Sequence, residues 1–114
     1  MVKRDISEIK KIVVQYVGEL AKQNIRVERV ILYGSYAGGT AKPYSDIDIV
    51  IISQDLERWP ILERLQMLSV ETLTLKAPLE VLGYTPEEIR RKGDDSIFWE
   101  EISRTGKEIY KKAA

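Results

Sequence analysis

Cysteine and histidine are both missing from this 114-residue chain. Their absence excludes disulfides, thiol nucleophiles, zinc–thiolate sites and every Ser-His-Asp or Cys-His mechanism. An excess of one charge is missing too. The 18 Lys and Arg residues balance 18 Asp and Glu, so the formal net charge is zero. Attachment to nucleic acid or anionic lipid by bulk charge is therefore not expected. The short basic runs Lys10-Lys11, Arg90-Arg91-Lys92 and Lys111-Lys112 read as solvated helix faces and tails. No apolar run approaches the ~20 residues of a membrane span. The start, MVKRDISEIKK, lacks a secretory apolar core. A cytoplasmic protein without membrane attachment is the expectation. Aromatics are few, and Trp59, Phe98 and Trp99 lie on or beside helical patterns, where core or dimer packing is the default.

What is present suffices for a core: 44% of residues are hydrophobic and 32% charged. The length predicts one domain over residues 1–114. Ile6, Ile9, Val13, Tyr16, Val17 and Leu20 recur at helical spacing, with Asp5 and Glu8 as a capping box and Asn24 as the stop. Val27–Tyr33 reads as a strand ending at Gly34-Ser35. Tyr36–Ser45, with Gly38, Gly39 and Pro43, reads as mostly loop.

Asp46–Ser53 is a second strand, almost continuously apolar after its first carboxylates. Burial on both faces, with helices on each, is the consequence. Pro60 opens a helix to about Lys76 with Ile61, Leu62, Leu65 and Leu68 inward. Leu79–Tyr84 is a third strand. Thr85, Pro86 and Glu88 start a short helix that stops at Gly93. Asp94 or Asp95 caps a last helix carrying Ile97, Phe98 and Ile102, and Lys107–Lys111 adds an edge strand after Gly106. The fold class is α/β (α+β): a small mixed sheet covered by helices.

Two features mark the strand ends. Asp46 and Asp48 are two apart on a strand, so both point to one face. At ~5 Å and an effective dielectric near 20, they repel by roughly 3 kcal/mol. A divalent cation is the natural compensation, and hard oxygen ligands suit Mg²⁺. Taken alone, the pair also fits a solvated strand start after a Pro turn. Gly34 permits a sharp turn and Ser35 offers a hydroxyl and an N–H, an arrangement that can hold phosphate. Taken alone, it also fits an ordinary loop. If the two strands are antiparallel neighbours, the turn and the carboxylates meet at one end of the sheet. That is a site for a nucleoside triphosphate with magnesium.

The stretch GSYAGGTAKPYSDID fits the G-S-x10-D-x-D pattern and resembles the minimal nucleotidyltransferases of the DNA polymerase β superfamily. The likeness covers nearly the whole chain, through VILYGS, DIDIVI, PLEVLGYTPEEI and the closing GKEIY. It implies the polymerase β-type nucleotidyltransferase fold and a third carboxylate on a later strand, for which Glu80 is the candidate. Glu80 is also a lone charge inside PLEVLG, sharing its face with Leu82 and Tyr84. Asp46, Asp48 and Glu80 would then be the catalytic and metal-holding set for two Mg²⁺ ions. Gly34, Ser35 and Lys42 would contact the nucleotide, with ATP as the substrate. Many members carry Arg just after the Gly-Ser and again two residues later; here those positions are Tyr36 and Gly38. Tyr36 could instead stack on a base.

Larger relatives carry an extra acceptor-binding domain, for which this length leaves no room. The acceptor site is therefore expected to be completed by another chain or a second copy, as a homo-oligomer. The resemblance implies the partner: a small helical HEPN toxin that the nucleotidyltransferase, as antitoxin, adenylylates on a Tyr. The alternative is a nucleotide-binding antitoxin, catalytically weak or inactive, that neutralises its partner by steric binding.

Overall fold

The computed structural model describes residues 3–75, 77–92 and 97–113. Helix α1 spans Ile6–Lys22. Asp5 caps it by accepting from the Glu8 N–H at 2.8 Å, and Ile9, Val13, Tyr16 and Leu20 form its buried stripe. Asn24 turns the chain out of the helix in the left-handed region, at φ 63°, which suits Asn better than most residues.

Four strands follow: β1 Arg29–Tyr33, β2 Ile47–Ile52, β3 Leu79–Tyr84 and β4 Lys107–Lys111. Their order in the sheet is β3-β2-β1-β4. β1 is antiparallel to both neighbours, whereas β2 and β3 run parallel, so the sheet is mixed as the sequence predicts. The parallel pair needs a crossover. A 3-10 turn at Gln54–Arg58 and helix α3, Ile61–Val70, provide it.

Alternation along the central strands divides two cores. Val30 and Leu32 of β1, Ile47, Ile49 and Ile51 of β2 and Val81 of β3 pack with the α1 stripe, Leu56 and Leu68. Ile31, Val50 and Ile52 face the other way, onto Trp99 and Ile102. The two last named belong to helix α5, Ile97–Thr105. Each such buried aliphatic side chain contributes about 1.5–3 kcal/mol. A one-residue slip of β2 would turn Asp48 into the α1 core, so the register is strongly specified.

Three expectations need correction. The third helix does not run to Lys76: it ends at Val70 and continues as a 3-10 turn, Glu71–Thr74; Lys76 itself lies outside the described residues. Its inward face is not Ile61 and Leu62, which are 43% and 76% exposed, but Arg64 and Leu68. Pro60 is the residue before the helix rather than its first. The reason is Arg64. Its guanidinium donates to the carbonyls of Gly83 and Trp59 and to Glu88, which fixes the rotation of the helix and turns the first apolar pair outward. Helix α4, Pro86–Lys92, starts with the expected box: the Thr85 N–H donates to Glu88 at 2.8 Å, and the Glu88 N–H donates to the Thr85 hydroxyl at 3.1 Å. Gly93 and the proposed caps Asp94 and Asp95 lie outside the described residues. Among the described residues no helix is long and apolar enough to cross a membrane.

Candidate nucleotide and metal site

The site is assembled by register. Antiparallel pairing sets Tyr33 of β1 opposite Asp48 of β2, and parallel pairing sets Asp48 beside Glu80 of β3. Tyr33, Asp48 and Glu80 therefore form a row across one end of the sheet, on the face shared with Ile31, Val50 and Trp99. Where the aliphatic cluster ends, the acidic row begins.

Gly34 follows Tyr33 directly and is held at φ +73°. A Cβ there would overlap the Asp48 carboxylate. Only glycine lets the turn come this near to the acidic row. The turn then closes as a four-residue helix α2, Ser35–Gly38, with Gly34 accepting from the Gly38 N–H and Ser35 accepting from the Thr40 N–H, both at 3.0 Å. The first N–H groups of any helix have no partner within it, and this one starts directly after Gly34, which abuts the Asp48 carboxylate.

Electrostatics follow from this crowding. The Asp48 carboxyl is pushed up to about 6, first by burial, then by a hydrogen bond to Glu80, then by the charges of Glu80 and Asp46. Tyr33 is pushed up to about 12, by burial first and then by Asp48, Glu80 and Tyr84. Asp48 therefore keeps its proton to a higher pH than an ordinary aspartate does. A cation between them would relieve the same strain. Asp46 precedes β2, is exposed, and acts on Asp48 through its charge. Among the described residues no three carboxylates close into a finished cation cage. The donor set fits a hard divalent ion in its chemistry: oxygen-only, acidic, and already paying for its own repulsion.

The other expected contacts divide. Ser35 is half-buried at the turn. Lys42 is exposed, and what fixes it is its backbone: its N–H donates to the Ser45 hydroxyl at 2.8 Å and its carbonyl faces Tyr36 Oη at 3.5 Å. Among the described ion pairs none engages its ammonium. Tyr36 does not offer a ring to a base. It is only 8% exposed and packs into the α1 core, with Oη accepting from the Arg4 N–H.

Beside the turn opens a cleft of about 450 Å³, lined by Tyr33, Ser35, Thr40, Glu101, Ile102 and Thr105 among others. Glu101, Thr40 and Thr105 carry no motif. Glu101 and Thr105 do stand at i,i+4 spacing, which puts them on one helix face. What the sequence does not reveal is that α5 lays that face against the end of β1.

Comparison with known proteins agrees with this fold. The solved structure of a Sulfolobus solfataricus protein assigned as a nucleotidyltransferase superposes at a TM-score of 0.64, with 18% identity, over 94% of this chain and 84% of that one. A toxin–antitoxin structure with AMP-PNP superposes at 0.56, with 22% identity, over 90% and 73%. A variant of the MntA–HpeT toxin–antitoxin superposes at 0.51, with 16% identity, over 96% and 75%. A Methanocaldococcus jannaschii protein assigned as a protein adenylyltransferase is 44% identical over 48 residues, 42% of this chain and 55% of that relative. That match spans little more than half the relative's length. The nucleotidyltransferase domain family matches residues 6–109, nearly the whole chain, and the chain belongs to that family.

Proposed function

We propose that this nucleotidyltransferase moves an adenylate group from ATP, with Mg²⁺, to a tyrosine hydroxyl of a helical HEPN-type toxin, and so acts as that toxin's antitoxin. The observation that carries the reading is the Asp48–Glu80 pair set in register beside the Gly34 turn. A triphosphate needs donors and an acceptor hydroxyl needs a carboxylate, and this end of the sheet supplies both. The M. jannaschii relative carries the name of a protein adenylyltransferase, and two fold neighbours are toxin–antitoxin assemblies, one of them with AMP-PNP. Those names support the donor, the acceptor class and the partner proposed here.

Asp46, Asp48 and Glu80 are the residues that would hold the magnesium. When bound, it would neutralise developing charge on the phosphates and lower the pKa of the attacking hydroxyl. The chain's own groups do the rest. The turn N–H groups at Ser35 and the Ser35 hydroxyl hold the triphosphate tail. Gly34 lets that tail lie against Asp48. Glu80, at the outer strand of the row, takes the proton of the acceptor hydroxyl as that oxygen bonds the α-phosphorus and pyrophosphate leaves. Lys42 approaches the outer phosphates from the loop.

A second reading is favoured by one observation. The two positions where many relatives carry Arg hold a buried Tyr36 and Gly38, neither of which supplies a cation. The protein would then neutralise its partner by binding alone. Intact-mass measurement separates the two. With partner, ATP and Mg²⁺, the first reading predicts added adenylate, abolished by Asp46→Asn with Asp48→Asn. An unmodified partner in a stable complex, neutralised equally by the double variant, establishes the second.

A further inference from the structure

The cleft under α5 has a chemical character of its own. Among the described residues that line it, Glu101 alone carries a charge. Among those residues there is no cation, so a triphosphate meets nothing that balances its charge and a carboxylate that repels it. Its floor includes the Tyr33 ring and the buried Ile102, which offer apolar surface to a flat or saturated ring. Its walls carry the hydroxyls of Ser35, Thr40 and Thr105. The Thr105 hydroxyl already donates to the Glu101 carbonyl at 2.8 Å, which leaves its oxygen as an acceptor facing the cleft. The Glu101 carboxylate only accepts. The ligand that satisfies such walls is uncharged and brings its own O–H or N–H donors.

The Gly34–Ser35 turn forms the boundary between this cleft and the acidic row. A nucleotide whose phosphates lie at the turn has one uncharged end to place. From these facts the geometry points to the cleft as the nucleoside subsite, with Glu101 accepting hydrogen bonds from the ribose hydroxyls and thereby selecting a ribonucleotide donor. This rests on the nucleotide-donor part of the reading above and assigns the substrate's sugar to residues outside the G-S-x10-D-x-D motif. Carboxylate acceptance of a ribose diol is established chemistry in other nucleotide folds.

Calorimetric titration with Mg²⁺ and three probes tests it: ATP, 2′,3′-dideoxy-ATP and inorganic tripolyphosphate. The wild-type protein is expected to bind ATP about tenfold more tightly than the dideoxy form, the size of a lost charge-assisted hydrogen bond. Glu101→Ala brings the two within about twofold, and Glu101→Gln keeps part of the preference, since its amide oxygen still accepts. Glu101 is exposed, so neither substitution removes core packing. Tripolyphosphate binding stays the same in all three proteins. An ATP-to-dideoxy ratio unchanged by Glu101→Ala overturns the assignment. So does a tenfold gain in tripolyphosphate affinity on that substitution, which would place the phosphate tail in the cleft. The two readings fail separately. A ribose preference without adenylate transfer to the partner defeats the transfer and retains the subsite; transfer with equal binding of both nucleotides does the reverse.

Discussion

The two faces of the sheet differ in how far their apolar contacts run. On the α1 face, Ile47, Ile49 and Ile51 continue to the end of β2, and the packing with Leu56 and Leu68 leaves each of them 3% exposed or less. On the α5 face the aliphatic cluster stops at Val50, and the next residue on that face is Asp48. In the function proposed above, the same strand therefore serves stability on one side and chemistry on the other. Period-2 alternation makes this possible, because a residue can be chosen for one face without altering the other. The cost is local: the acidic face holds a carboxyl whose titration is shifted first by burial and then by its acidic neighbours.

Substitutions on the two faces should separate those roles. The largest effect is expected from Asp48→Asn. Adenylate transfer falls by about three orders of magnitude or more, the loss expected when a preorganised charge leaves a transition state, while circular dichroism shows an intact fold. Ile49→Ala, one residue away and on the other face, does the opposite. Chemical denaturation should show a loss of about 2–5 kcal/mol, with the remaining folded protein still active. A fall in stability for Asp48→Asn as large as for Ile49→Ala would break the division.

Gly34→Ala lies between these extremes. Its Cβ meets the Asp48 carboxylate at a positive φ, so the turn must move. A stability loss of about 1–2 kcal/mol is expected from the backbone conformation, with transfer reduced at least tenfold because the turn no longer touches the row. The smallest effect is on pH dependence in the presence of a chelator. Asp48 titrates at about 6 in the folded protein against an ordinary 3.8, so the fold favours its neutral form. That stabilisation is present below about pH 4 and lost as pH rises to about 6. Asp48→Asn removes the loss. At pH 7 its melting temperature should exceed that of the wild type by about 4 °C, roughly 1 kcal/mol after discounting for solvent screening. At pH 4 the two should melt together.

The sequence made this division partly legible. DIDIVIIS shows both an apolar strand and its acidic start, and the G-S turn ten residues earlier marks the same end of the sheet. Glu80 stood out as a lone charge, and the register seats it beside Asp48. Three things were hidden, each for a physical reason. Arg64 looks like a surface residue of α3, and only its bonds to Gly83, Trp59 and Glu88 explain its burial at 3% exposure. Tyr36 sits in a loop-like stretch, yet the sharp turn at Gly34 folds it back into the core. Glu101 and Thr105 bear no motif, because the docking of α5 over β1 is a tertiary event that no local spacing encodes.

The central claim is that Glu80 works with the aspartates although it comes from a separate strand. Intact-mass spectrometry of the proposed partner toxin, incubated with ATP, Mg²⁺ and either the wild type or Glu80→Gln, examines it most directly. The account predicts adenylate addition by the wild type and almost none by Glu80→Gln, with ATP still bound by the variant. Transfer by Glu80→Gln at the wild-type rate would contradict it.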